Sequence, residues 1–109
     1  MTLLGSAGGA MGALIVSATG ALATGTVAMI PAGTLIGFSG MVVDSVLGAG
    51  LQGRFHCQTC DEASEWRVHR CGRPTVLRGG FTWLDNDMVN FLATAFAAAA
   101  ALACWRWLD

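Results

Sequence analysis

From Met1 to Val43 the chain carries no Asp, Glu, Lys, Arg or His, and Asp44 is its first charged residue. A hydrocarbon core about 30 Å thick is crossed by roughly 20 apolar helical residues rising about 1.5 Å each, so this uncharged run is long enough for two crossings. Pro31, followed by Ala32 and Gly33, marks the break and predicts a first helix over about 3–28 and a second over about 34–51. Over residues 52–82 the character changes. Arg54, Arg67, Arg70, Arg73 and Arg78, with Pro74 and the pair Gly79-Gly80, describe a folded polar loop. The apolar pattern returns from Phe91 to Trp107, through the run Ala97 to Ala101, and predicts a third crossing over about 86–107. Trp83 at one end, with Trp105 and Trp107 at the other, puts indoles where a bilayer interface favours them. Strand-like alternation of any length is absent. The predicted fold class is therefore all-α: a polytopic transmembrane protein of about three helices, one membrane domain over 1–109, with a Cys/His loop between the second and third helices.

Composition narrows the class further. Hydrophobic residues make up 54% of the chain and charged residues 12%, which fits a bilayer better than a small soluble core. The net charge of −1 and the absence of lysine leave no basic patch, so nucleic acid is excluded as an expected partner. The N-terminus lacks the positive region and compact apolar core of a cleaved secretory signal, so it is expected to be retained. Five arginines in one loop orient the chain by the positive-inside rule. The loop and the N-terminus are predicted to be cytoplasmic and Asp109 to lie outside, with Arg106 opposing that last assignment. The expected location is the cell membrane, as a multi-pass protein in contact with bilayer lipid. Gly8 with Gly12, and Gly33 with Gly37, have the four-residue spacing that lets membrane helices approach closely, and read as packing surfaces rather than ligand sites.

The densest chemistry lies in FHCQTCDEASEWRVHRCG, Phe55 to Gly72. Cys57 and Cys60 form a C-x-x-C pair able to chelate one ion from a single turn, and His69 with Cys71 supplies a second pair. Together they form a closed four-ligand set suited to Zn²⁺, with no open position for catalysis. A disulfide and a cluster with no ligand are the competing readings. A reducing cytoplasm favours zinc over the disulfide, while the H-x-C spacing of the second pair supports the empty cluster. His56 is an alternative ligand, made awkward by its adjacency to Cys57. Cys104, in the third helix, reads as a packing residue.

The acids flank this loop. Asp44, followed by Ser45, falls in the apolar stretch GMVVDSVLGAG, where an ionised carboxylate costs about 2.5–3.5 kcal/mol near a helix centre and so calls for a polar cavity or a partner. Snorkelling or pairing with arginine is the structural alternative. WLDNDMVN, Trp83 to Asn90, begins the third helix. Asp85 suits an N-cap there, while Asp87 and Asn90 share one face and present oxygen ligands together. Mg²⁺ takes one or two carboxylates and completes its shell with water and phosphate oxygens. Asp44, Asp85 and Asp87 are expected to meet at the cytoplasmic surface with such an ion, and Arg70, Arg73 or Arg78 to hold a phosphate. The G-x-G-x-x-G match at Gly48, Gly50 and Gly53 follows a membrane helix rather than a strand, so its dinucleotide-binding context is missing.

Taken together, GMVVDSVLGAGLQ, the C-x-x-C to H-x-C loop with VHRCG, and WLDNDMVNFLAT resemble the integral-membrane family of unknown function 92, which includes transmembrane protein 19 and phytyl-phosphate kinase. The resemblance runs from about Gly5 to Leu102. It implies a polytopic membrane protein that phosphorylates an isoprenoid monophosphate, with CTP or a similar nucleotide as donor. Asp44 and Ser45 match the family's D-S-x-L-G-A motif, and Asp85, Asn86, Asp87 and Asn90 match its L-D-N-D/N-x-V-N motif. The resemblance thereby implies that these six residues handle metal and phosphate. Two departures stand out. Family members usually carry a further N-terminal helical half, so a fragment, or a second chain or copy that supplies the missing helices, is expected. The Cys/His loop looks like that of prokaryotic members, which points to a local staple. The rival functional readings are a non-catalytic membrane scaffold with a zinc-stapled loop, and a small transporter in which Asp44 couples to an ion.

Overall fold

The computed structural model describes residues 2–108. The expectation for Asp109 lies outside the described residues. In chain order the elements are α1 (Leu3–Thr24), α2 (Met29–Gly50), β1 (Arg54–Cys57), β2 (Glu62–Ser64), β3 (Val76–Gly79) and α3 (Asn86–Leu108). The three helices are long and apolar enough to cross a membrane.

Thr2 caps α1, its hydroxyl accepting a hydrogen bond from the Gly5 N–H at 3.1 Å. Gly25 ends the helix in the left-handed conformation at φ 71°, which explains why α1 stops at Thr24 rather than continuing to Ala28. The chain turns at once into α2 through Met29 N–H to Thr26 O and Ile30 N–H to Val27 O bonds. Pro31 is therefore the third residue of α2 rather than a break before it. In the first turn of a helix the backbone N–H has no intrahelical partner, so proline costs no bond there.

The chain divides into two compact units. One comprises Met1–Ser45 with Ala93–Asp109, and the other Val46–Leu92. Small residues set the helix approaches in the first. A methyl added at Gly37 would stand 3.0 Å from Ala13 Cβ, one at Gly33 2.5 Å from Ser17 Oγ, and one at Gly40 3.2 Å from Ala97 Cβ. Gly33 and Gly37 are thus packing positions, whereas Gly8 and Gly12 face open space. Hydroxyls in this unit return to their own helices, Ser17 to Ala13 O, Thr19 to Ile15 O and Thr34 to Ile30 O, which leaves an apolar exterior suited to lipid.

The second unit corrects the all-α expectation. Its three strands form an antiparallel sheet in the order β2-β1-β3. Phe55 pairs with Ser64 on one side and with Leu77 on the other. Phe55 and Cys57 are buried while Arg54 is exposed, so β1 does alternate, but over four residues only. A strand so short holds too few alternations to stand out from a polar loop. The chain between α2 and β1 is tied to the chain between β3 and α3 by Gly53 N–H to Leu84 O at 2.9 Å and Phe81 N–H to Leu51 O at 3.0 Å. Gly80 closes this tie with φ 73°, and any side chain there would meet the Gln52 carbonyl.

Candidate metal centre

Hairpin geometry assembles the cluster. β1 ends at Cys57, the turn Gln58-Thr59-Cys60-Asp61 reverses the chain with Asp61 at φ 54°, and β2 returns so that Glu62 lies opposite Cys57. A second turn brings in the other pair. His69 N–H donates to Arg73 O, Gly72 N–H donates to His69 O, and Gly72 takes φ 86°. The ligand atoms of Cys57, Cys60, His69 and Cys71 consequently all lie within 4.8 Å of one another.

These distances fit a metal. Donors on a tetrahedral zinc ion with bonds of about 2.3 Å to sulfur stand about 3.8 Å apart, and Cys57 Sγ lies 3.7 Å from Cys71 Sγ. All four cysteines are free thiols, which separates this arrangement from the disulfide reading. His69 is buried, and its Nδ1 has no hydrogen-bond partner, a costly state for a polar atom unless an ion takes its lone pair. His56 is drawn off instead to Asp61, with Nε2 2.9 Å from Oδ1, and stands apart from the four-residue cluster. Adjacent residues of a strand point to opposite faces, and this disposes of His56 beside Cys57 as a ligand.

The thiols are electrostatically unequal. The Cys60 backbone N–H is the main influence holding Cys57 below the ordinary value of 9.0, helped by the Cys71 side chain and the Thr59 N–H and opposed by burial. Cys60 is pushed up to about 11, first by the Cys71 side chain, then by burial and by Cys57. Backbone donors stabilise one thiolate, and neighbouring sulfurs resist the next. A bound dication removes that resistance, because it stabilises every coordinating thiolate at once. The Cys₃His cluster can therefore hold a metal ion such as zinc.

The remaining site residues lie outside this cluster. Asp85 Oδ1 accepts the Met88 N–H at 2.8 Å, so Asp85 caps α3 as expected for that position. Asp85, Asn86 and Asp87 line a cavity of about 200 Å³ with Glu65 and Trp66. Asn90 follows one turn on, exposed in α3. Asp44 and Ser45, half-buried in α2, belong to the helical unit, whereas Asp85 to Asn90 belong to the other. Arg70 is exposed, with Nη2 3.6 Å from Glu62 Oε2. Arg73 and Arg78 are exposed in the loop and in β3. Arg67, which the sequence offers only as one of five loop arginines, shares a cavity with one of the acids. Arg67 Nη2 donates to Thr82 O at 3.4 Å and lines, with Trp66, Trp83 and Asp85, a cavity of about 510 Å³. Glu62 was missed. Its signal was its place two residues beyond Cys60, where a C-x-x-C hairpin brings the chain back beside the first cysteine.

Three membrane-length helices and a cysteine-histidine cluster on a small sheet define an integral membrane protein with a metal-competent polar module. The family model for integral membrane protein DUF92 matches residues 1–98, and the chain belongs to that family. No curated protein and no solved structure matches it.

Proposed function

We propose that the chain is a membrane-embedded phosphotransferase component that carries a nucleotide phosphoryl group to an isoprenoid phosphate. In this reading Zn²⁺ in the Cys57, Cys60, His69 and Cys71 cluster is structural and shapes a cytoplasmic loop. Asp44, Ser45, Asp85, Asn86, Asp87 and Asn90 handle Mg²⁺ and phosphate, and Arg70, Arg73 and Arg78 supply positive charge. The observation that carries the reading is the gathering of Asp85, Asn86 and Asp87 around one cavity at the start of α3, beside Glu65 and Trp66. Oxygen donors of this kind suit Mg²⁺, which leaves coordination positions for phosphate. Phosphoryl transfer needs little covalent help, so positioning and charge neutralisation are the work such groups would do.

The test uses the full chain in lipid nanodiscs with Mg²⁺, nucleoside triphosphates and phytyl or geranylgeranyl phosphate. Transfer of labelled phosphate is expected, with loss of turnover in Asp87→Asn and Asp44→Asn. Failure of the intact chain to transfer phosphate sinks this reading. The closed donor set favours a second one, a non-catalytic scaffold, because four protein ligands leave the metal no open position. A scaffold keeps its assembly and function after Asp44→Ala and Asp87→Ala, whereas an enzyme loses turnover.

A further inference from the structure

The cluster leaves open which nitrogen of His69 meets the metal and what holds the ring, and the surroundings of the imidazole answer both. Its two nitrogens occupy different environments. Nε2 lies 3.4 Å from Glu62 Oε2, whereas Nδ1 is buried with no partner. A hydrogen on Nδ1 would be a buried donor without an acceptor, whereas a hydrogen on Nε2 points at a carboxylate. The tautomer that satisfies the ring therefore has Nε2–H and leaves the Nδ1 lone pair for an ion held with Cys57, Cys60 and Cys71.

Glu62 is placed for this role by the fold rather than by chance exposure. The β1–β2 register sets it opposite Cys57, so the same hairpin that presents two thiols presents the carboxylate. The same oxygen, Oε2, is also approached by Arg70 Nη2 at 3.6 Å. One carboxylate oxygen thus faces both a cation and the imidazole. At 3.4 Å the imidazole contact is longer than a formed N–H···O bond of about 2.9 Å. Coordination at Nδ1 withdraws electrons from the ring, makes Nε2–H a better donor and favours closing that gap.

We propose that His69 binds the metal through Nδ1 and that Glu62 is the positioning residue that fixes this tautomer through Nε2–H, with Arg70 steadying the carboxylate. The inference deepens the structural-zinc reading and rests on it. Two measurements on the full chain in detergent or nanodiscs test it. Long-range ¹⁵N–¹H correlation on the zinc-loaded protein reads the ring directly and needs no variant. A proton on His69 Nε2 and a metal-shifted Nδ1 are expected, and the reverse pattern overturns the proposal while leaving zinc binding intact. Zinc competition against a chromogenic chelator reads the role of Glu62. Glu62→Ala is expected to weaken binding about 10–100-fold, Glu62→Gln, which keeps an acceptor, to recover most of that loss, and His56→Ala to change little. The Co²⁺-substituted Glu62→Ala variant should retain its sulfur-to-metal charge-transfer bands, which shows three thiolates still bound. Unchanged zinc affinity in Glu62→Ala overturns the positioning role, and an intact chain that takes up no zinc overturns this inference together with the reading beneath it.

Discussion

The helical unit and the polar module of this chain solve the problem of a small core by different means. In the helical unit few side chains are buried, and large apolar residues such as Leu4, Val16, Leu35 and Leu102 stay exposed, suited to lipid. Close approach of small residues, Gly33 to Ser17 and Gly37 to Ala13, holds the helices. The polar module buries a small apolar core of its own. Its buried apolar residues are Phe55, Cys57, Leu84 and Val89, too few to order the chain from Val46 to Leu92 at about 1–2 kcal/mol of backbone entropy per residue. Hydrogen bonds supply part of the difference, and a metal held by the Cys₃His cluster would add to it. One unit is thus sensitive to side-chain volume and the other to ligand chemistry.

Metal removal exploits that difference most strongly. Structural zinc contributes apparent free energies of about 10–16 kcal/mol in small zinc-folded peptides. Chelation, or Cys57→Ser, is expected to abolish amide-exchange protection across β1, β2 and β3 while α1 and the first part of α2 keep theirs. Hydrogen exchange in nanodiscs measures both at once, and equal loss of protection in the two units would break the comparison. The pH response sharpens it. In the metal-free module, thiolate absorbance should rise in separated steps, Cys57 below 9.0 and Cys60 at about 11. Zinc merges these steps at lower pH because it binds the deprotonated forms, so zinc affinity falls as pH is lowered. A single metal-free step near 9.0 would remove the electrostatic coupling inferred for the cluster.

Backbone strain gives the next effect. Gly80 combines φ 73° with direct opposition to the Gln52 carbonyl, so Gly80→Ala must move the tie between β3 and the chain before β1. A cost of about 3 kcal/mol is expected, visible as lost protection of the Phe81 amide. In the helical unit the matching probe is Gly37→Leu. A methyl at that position already stands 3.0 Å from Ala13 Cβ, and overpacking costs about 1–3 kcal/mol. Thermal unfolding in detergent should show the loss while zinc affinity stays unchanged. Coupled losses in either variant would mean that the two units do not respond separately.

How much of this was legible in the sequence follows the same division. The membrane helices were readable because bilayer thickness imposes a length that an uncharged run displays directly, and the gathering of Cys57, Cys60, His69 and Cys71 because C-x-x-C is a local chelating geometry. Helix ends were less readable. Pro31 marks either a break or a first turn, and only the left-handed Gly25 upstream decides between them. The sheet escaped notice because its strands are three or four residues long and their pairing is set by turns at Asp61 and Gly80 that the pattern of polar residues does not display. Glu62 escaped for the same reason, since its meaning comes from standing opposite Cys57.

The smallest expected effect separates the structural from the chemical work of the acids at α3. Asp85 accepts the Met88 N–H, so Asp85→Ala leaves that donor without its partner and is expected to cost about 1 kcal/mol. Asp85→Asn keeps a capping oxygen and should restore most of that stability while removing the charge. Asp87 sits in the first turn of α3 without serving as its cap, so Asp87→Asn should cost only a few tenths of a kcal/mol, through the weaker interaction with the helix dipole. Exchange protection of the first turn of α3 in the three variants therefore ranks Asp85→Ala below Asp85→Asn and Asp87→Asn. Turnover, where it is measured, ranks them by charge instead. If stability and turnover follow the same order, the start of α3 is a cap and nothing more, and both acids belong to the fold rather than to chemistry.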